Sequence, residues 1–112
     1  MPAVVASVPS RAAAAFVAYS QIEVPDGGRD QLEAAFSDRL GAVDGWPGFR
    51  SLEVWSDLGD ANAYVMVSWW DSTEAFQQYM QSDDHRRSHD RIPSGDDRPR
   101  PRRFRRFRVV AR

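Results

Sequence analysis

The stretch Ala63-Tyr64-Val65-Met66-Val67-Ser68-Trp69-Trp70 constrains this chain most, because it is β-forming and carries large apolar side chains at odd and even positions alike. A strand of that kind projects apolar groups from both faces of a sheet and needs cover on both. With 112 residues there is material for one core and not for two. The chain's own helices can therefore serve one face, and the other needs a different cover. Hydrophobic residues at 42% and charged residues at 28% suffice for a compact core and exclude wholesale disorder and a fibrous architecture.

The remaining pattern fits around that strand. In Ala14 to Val24, Phe16, Ala18, Ser20 and Ile22 share one face, with Val17, Tyr19, Gln21 and Glu23 on the other, which predicts a first strand. Pro25-Asp26-Gly27-Gly28 is a turn. After it Leu32, Ala35, Phe36, Leu40 and Val43 recur at helical spacing. Asp44-Gly45-Trp46-Pro47-Gly48 ends that helix, and a strand follows with Phe49, Ser51, Glu53 and Trp55 alternating against Leu52 and Val54. Leu58 to Asn62 supplies a hairpin turn into the two-faced strand. Ser72 can cap a helix that buries Ala75, Phe76, Tyr79 and Met80, and Asp83 can cap a short one after it. Residues 90–103, rich in Pro and charge, read as an irregular connection, and Phe104 to Ala111 as a final strand.

The order β-α-β-β-α-β is that of an α+β ferredoxin-like antiparallel sheet with helices on one face. A second copy of the chain is the economical cover for the other face, which predicts a homodimer. Residues 14–112 form the single domain, and residues 1–13, with Arg11 interrupting a short apolar run, read as a flexible extension and not a secretion signal.

Several chemistries drop out early. No apolar run approaches the roughly 18 residues of a membrane span, and with no cysteine there is no disulfide framework, thiolate cage or thiol nucleophile. That composition suits a cytoplasmic protein. A nucleophile elbow and a glycine-rich phosphate loop are both missing from the sequence. Charge is unevenly placed: residues 1–84 hold 4 Arg against 13 acids, and residues 85–112 hold 11 Arg against 3 Asp. The run Arg98 to Arg108 could pair phosphates and stack bases. An internal or inter-subunit electrostatic match, or a charged edge strand, explains it as well, and no nucleic-acid partner is expected. His85 and His89, four apart, could hold a divalent metal but lack a marked third ligand.

Taken together, Ile22-Glu23-Val24-Pro25, the helix with Phe36 and Arg39, Pro47-Gly48-Phe49, Trp70-Asp71-Ser72 with Glu74-Ala75-Phe76, then Tyr79, Ser82-Asp83 and His89, resemble the antibiotic biosynthesis monooxygenase family, and within it the heme-degrading branch. The resemblance covers nearly everything after residue 14 and implies a dimeric α+β barrel. It also implies that heme is both cofactor and substrate, opened oxidatively with release of iron, with oxygen and an external electron donor. Relatives of that branch carry an Asn on the first strand, a Trp on the second long helix and an axial His beyond it; this chain has Ser20, Tyr79 and His89 there.

By that resemblance His89 is the axial ligand to heme iron, a role a neutral imidazole with an oriented second nitrogen fills. Ser20 would donate a hydrogen bond at the distal side, with a shorter reach than Asn. Tyr79 would press on the porphyrin less broadly than Trp. Arg39, inside the apolar stripe of the first helix, could pair a heme propionate, an internal carboxylate, or reach solvent. Phe36 and Phe76 are core or pocket wall. Two other functions stay open. One is a cofactor-free monooxygenase of the same family acting on an aromatic polyketide-like substrate, with Trp69, Trp70 and Tyr79 shaping the cavity. The other is a non-catalytic dimeric binding module.

Overall fold

The computed structural model describes residues 13–89 and 98–112, with the side chains of 38–42 and 87–89 outside the description. Strand β1 spans Phe16–Glu23, and one 3-10 turn, Asp26–Gly28, leads into helix α1, Arg29–Val43. Strands β2, Phe49–Asp57, and β3, Asp60–Trp70, form a hairpin; helices α2, Thr73–Met80, and α3, Asp83–His89, precede strand β4, Arg100–Arg108. The sheet order is β2-β3-β1-β4 and every pairing is antiparallel. This is the expected ferredoxin-like arrangement, with β1 and β3 central. Residues 1–12 of the expected extension and 90–97 of the expected connection lie outside the described residues.

The pleat sorts the side chains as their alternation requires. Phe16 and Ala18 of β1 and Trp70 of β3 meet Val43 of α1 and Tyr79 of α2 in one cluster. Val24, Tyr64, Leu32 and Phe36 form a second, further along α1. Burying each of these large apolar groups stabilises the fold by about 1.5–3 kcal/mol. Tyr64 donates a short hydrogen bond to Glu33, and burial together with that carboxylate pushes its phenol above the ordinary range, so it stays a donor. At the hairpin end, the Asn62 side chain donates to Val24 O at 2.6 Å and to Asp26 Oδ1 at 2.8 Å, tying the turn to the exit of β1.

Four local expectations are corrected. Phe49 does not share a face with Ser51, Glu53 and Trp55: the register shifts between Phe49 and Ser51, so Phe49 turns inward with Leu52. The residue at the shift, Arg50, pairs instead with Asp71 at 2.5 Å. Met80, expected in the buried stripe, is the last residue of α2 and is 43% exposed, bordering a cavity. The cap of α3 is Ser82, whose Oγ accepts from His85 N at 3.1 Å, with Asp83 as first helical residue. Finally, β4 runs over Arg100–Arg108 and not 104–111. Its position at the sheet edge tolerates Pro101, which cannot donate to a ladder.

The second sheet face carries Val17, Tyr19, Val65 and Trp69, with Trp55 46% and Phe107 40% exposed at its margins. Tyr19 and Phe107 meet edge to face there at 6.3 Å, and the described helices pack on the opposite face.

Gly48 fixes how α2 meets the sheet. Its φ of +84° suits only a residue without a side chain, and a Cβ there would fall 2.5 Å from Cβ of Ala75. The close approach lets Gly48 O accept from Asp71 N at 2.7 Å. Gly48→Ala is therefore expected to lower stability by at least about 2 kcal/mol, from backbone strain and overpacking combined. Urea unfolding monitored by tryptophan fluorescence measures this; an unchanged midpoint would contradict it.

Candidate functional site

Between the helix-facing side of the sheet, helix α2 and the start of β4 lies a cavity of about 970 Å³, near the upper end of small-molecule sites. Its aromatic wall follows from the sequence of α2. Ser72 caps the helix, its Oγ accepting from Ala75 N at 3.1 Å, and Phe76 and Tyr79, three residues apart, then share one face. Phe76 contacts Phe16 at 5.4 Å and Trp70 at 5.5 Å between ring centroids, and stacks on Phe104 of β4 at 6.1 Å and 14°. Tyr79, only 4% exposed, meets Trp46 edge-on at 5.4 Å and Trp70 at 5.6 Å. Trp70 is held in turn, its indole N–H donating to Ser68 Oγ at 2.8 Å.

One hydroxyl joins the two helices at the cavity. Ser82 Oγ donates to Tyr79 O at 2.6 Å and accepts from His85 N at 3.1 Å. The chain thereby turns from α2 into α3 with the His85 imidazole edge-on to Tyr79, 5.4 Å between centroids. His85 lines the cavity. Ser20 lines it from the sheet side, set in register between Met66 of β3 and Phe104 of β4.

The polar groups around the cavity are of one sign. Arg98, Arg100, Arg102 and Arg103 all border it, together with the hydroxyls of Ser20, Ser68 and Tyr79, and among the described residues no Asp or Glu does. An apolar aromatic chamber with a cationic rim can hold a flat apolar molecule that carries anionic groups. Among the described residues there is also no group of three or more His, Cys, Asp or Glu able to hold a metal ion directly.

Of the residues singled out from the sequence, Ser20, Phe36, Phe76 and Tyr79 all border this cavity. Phe36 is at the same time part of the second core cluster, against Leu32 and Tyr64. Arg39 lies in α1 and His89 in α3, but both fall outside the residues whose side chains are described. Sequence reasoning missed three contributors. His85 counted only as half of a metal pair, Phe104 only as a strand residue, and Arg98 to Arg103 fell inside a supposed irregular connection. The alternation of Phe104 against Phe107 is the signal that could have turned Phe104 inward.

Comparison with known proteins adds to this geometry. Residues 15–91 match the sequence profile of the family described as antibiotic biosynthesis monooxygenase. A heme oxygenase (mycobilin-producing) of Mycobacterium tuberculosis is 36% identical over 63 residues, 56% of this chain; the match spans 60% of that relative's length. A heme oxygenase (staphylobilin-producing) of Staphylococcus epidermidis is 30% identical over 86 residues, 75% of this chain and 82% of the relative. Among solved structures, the heme-degrader MhuD from Mycobacterium tuberculosis, with two hemes bound in its active site, superposes with a TM-score of 0.69 at 27% identity. That superposition covers 87% of this chain and 97% of MhuD.

If Tyr79 is a wall shared by core and cavity, its ring and its hydroxyl should separate experimentally. Tyr79→Ala is expected to destabilise the fold by about 3–5 kcal/mol, and Tyr79→Phe by under about 1 kcal/mol. Thermal unfolding of the two variants checks this; equal losses would show that the hydroxyl and not the ring holds α2.

Proposed function

The chain belongs to the antibiotic biosynthesis monooxygenase family, and we propose that within it the protein is a heme-degrading monooxygenase that opens the porphyrin ring and releases iron. The observation that carries this reading is the cavity itself. Its wall of Phe76, Tyr79 and Trp70 suits a flat apolar ring, and the arginine-bearing stretch 98–103 along its border, with no carboxylate among the described lining residues, suits a ring bearing carboxylate arms. Relatives at 30% and 36% identity named as heme oxygenases point the same way.

Heme, when bound, would supply redox-active iron and be consumed as substrate with oxygen and electrons from an external reductant. The protein's part is orientation and exclusion of water. His89, one helical turn beyond His85 on α3, is the residue whose imidazole would hold the heme iron. Ser20, on the sheet side of the cavity, is the residue that would donate a hydrogen bond to the bound molecule, and a bridging water would extend its reach. Tyr79 and Phe76 pack the ring edge, Phe36 closes the wall along α1, and Arg39 is a proposed propionate partner.

We further propose that a second copy covers the open sheet face to give a dimeric α+β barrel. Trp55 and Phe107, 46% and 40% exposed, and the apolar row of β3 would then be removed from water. The proposed location is the cytoplasm; no described helix is long and apolar enough to cross a membrane.

Heme titration of the purified protein, followed by ascorbate in air, tests the central reading. A saturable Soret band that bleaches as iron becomes chelatable is expected, and His89→Ala should weaken heme binding at least about tenfold, or 1.4 kcal/mol. Absence of saturable binding would overturn it. Retention of full affinity by the variant would move the ligand away from His89.

A further inference from the structure

One row of the open sheet face carries opposite charges at its two ends. Glu53 of β2 pairs with Val67 of β3, Val67 with Tyr19 of β1, and Tyr19 with Arg105 of β4, so these four side chains stand abreast on that face. Trp55 and Arg103 end the next row in the same way, through Val65 and Gln21. Arg103 borders the cavity by position, but its pairing with Gln21 projects its side chain from the opposite face.

Both charged ends are steadied by neighbours on the same face. Glu53 Oε1 accepts from the Trp55 indole N–H at 2.8 Å, and the Arg105 guanidinium lies over the Phe107 ring, 4.9 Å from its centroid. The row is self-complementary, because the acid and the base sit on the two edge strands, each one strand out from the central pair β3 and β1. A foreign surface would need a matching pattern of its own; a second copy already has it.

Two copies stacked face to face by a two-fold axis have that axis in the plane between the sheets. Were it to run across the strands, β4 would lie over the partner's β4 and crowd their arginines together, a costly juxtaposition of like charges. With the axis along the strands, β2 lies over the partner's β4 and each row keeps its level. Glu53 then meets the partner's Arg105, and Trp55 meets the partner's Arg103, the first an ion pair and the second a cation–π contact. Stacked sheets stand about 10 Å apart and keep their strand directions within about 30°, offsets that glutamate and arginine side chains reaching from opposite walls span.

We propose that the two-fold axis of the homodimer runs along the strands and is selected by two symmetry-related Glu53–Arg105 pairs between subunits. This rests on the second copy proposed above, and adds its orientation and the residues that set it. The arginines that alternate with Phe104 in β4 then belong to the interface between copies and not to a nucleic-acid surface.

Sedimentation equilibrium at low and high salt tests this on the full chain, on Glu53→Arg, on Arg105→Glu and on an equimolar mixture of the two variants. Each variant alone sets like charges against each other at both sites, and should dimerise at least about tenfold more weakly than the unaltered protein, with the loss shrinking as salt screens it. In a dimer of the two different variants every contact between positions 53 and 105 is again of opposite sign, so the mixture should return to within about threefold of the unaltered affinity. Variants that dimerise as tightly as the unaltered chain, or a mixture that does not recover, would overturn the pairing while leaving the dimer standing. A monomeric unaltered chain would remove the second copy itself, and the pairing with it.

Discussion

The geometry of the site depends on Trp70. It ends the central strand β3 at 2% exposure, its N–H tied to Ser68 at 2.8 Å, and its ring touches Phe49, Phe76 and Tyr79 at centroid distances of 5.3, 5.5 and 5.6 Å. A large indole fixed at one point by a hydrogen bond and at three by rings has few alternative placements. Helix α2 is therefore docked by the same face that lines the cavity. Gly48 makes the approach close enough, since the Ala75 Cβ occupies the space its side chain would need.

From that anchor the two sides of the cavity acquire different characters. On the α2 side the aromatic rings pack one another as they would in any core, and only their outer edges are left for a ligand. On the β4 side an edge strand cannot be buried, and all nine of its residues are exposed, so charge is tolerated there at little cost. An apolar wall facing a cationic edge is thus a direct outcome of putting the Arg-rich segment last in the sheet order. The opposite sheet face, lined by Val17, Trp69 and Phe107, owes its character to the same central strands, which are apolar on both sides.

Much of this was legible in the sequence because it follows from periodicity. The alternation in β1 places Phe16, Ala18 and Ser20 together, and the helical spacing of Leu32, Ala35, Phe36 and Val43 marks the buried stripe of α1. What was not legible depends on single-residue register. The extra residue at Arg50 turns Phe49 to the core side, and nothing in the local pattern announces it. Pro99 and Pro101 disguised the start of β4 as a loop, since proline is compatible with an edge strand and with irregular chain alike. His85 reaches the cavity through the bonds of Ser82 to both helices, a link between neighbouring elements that residue spacing does not encode. Ser20, Phe76 and Tyr79, which border the cavity, were marked by a resemblance; the arginines of residues 98–103 were not, because no motif marks them.

The central claim is that an anionic porphyrin enters between β4 and α2 and not onto the open sheet face. Amide and indole chemical-shift mapping during titration with gallium protoporphyrin IX tests it most directly. The expected result is that saturating shifts concentrate at Ser20, Phe76, Tyr79, His85 and Arg98 to Phe104. Shifts concentrated at Val17, Val65, Trp69 and Phe107, with the α2 wall unmoved, would contradict it.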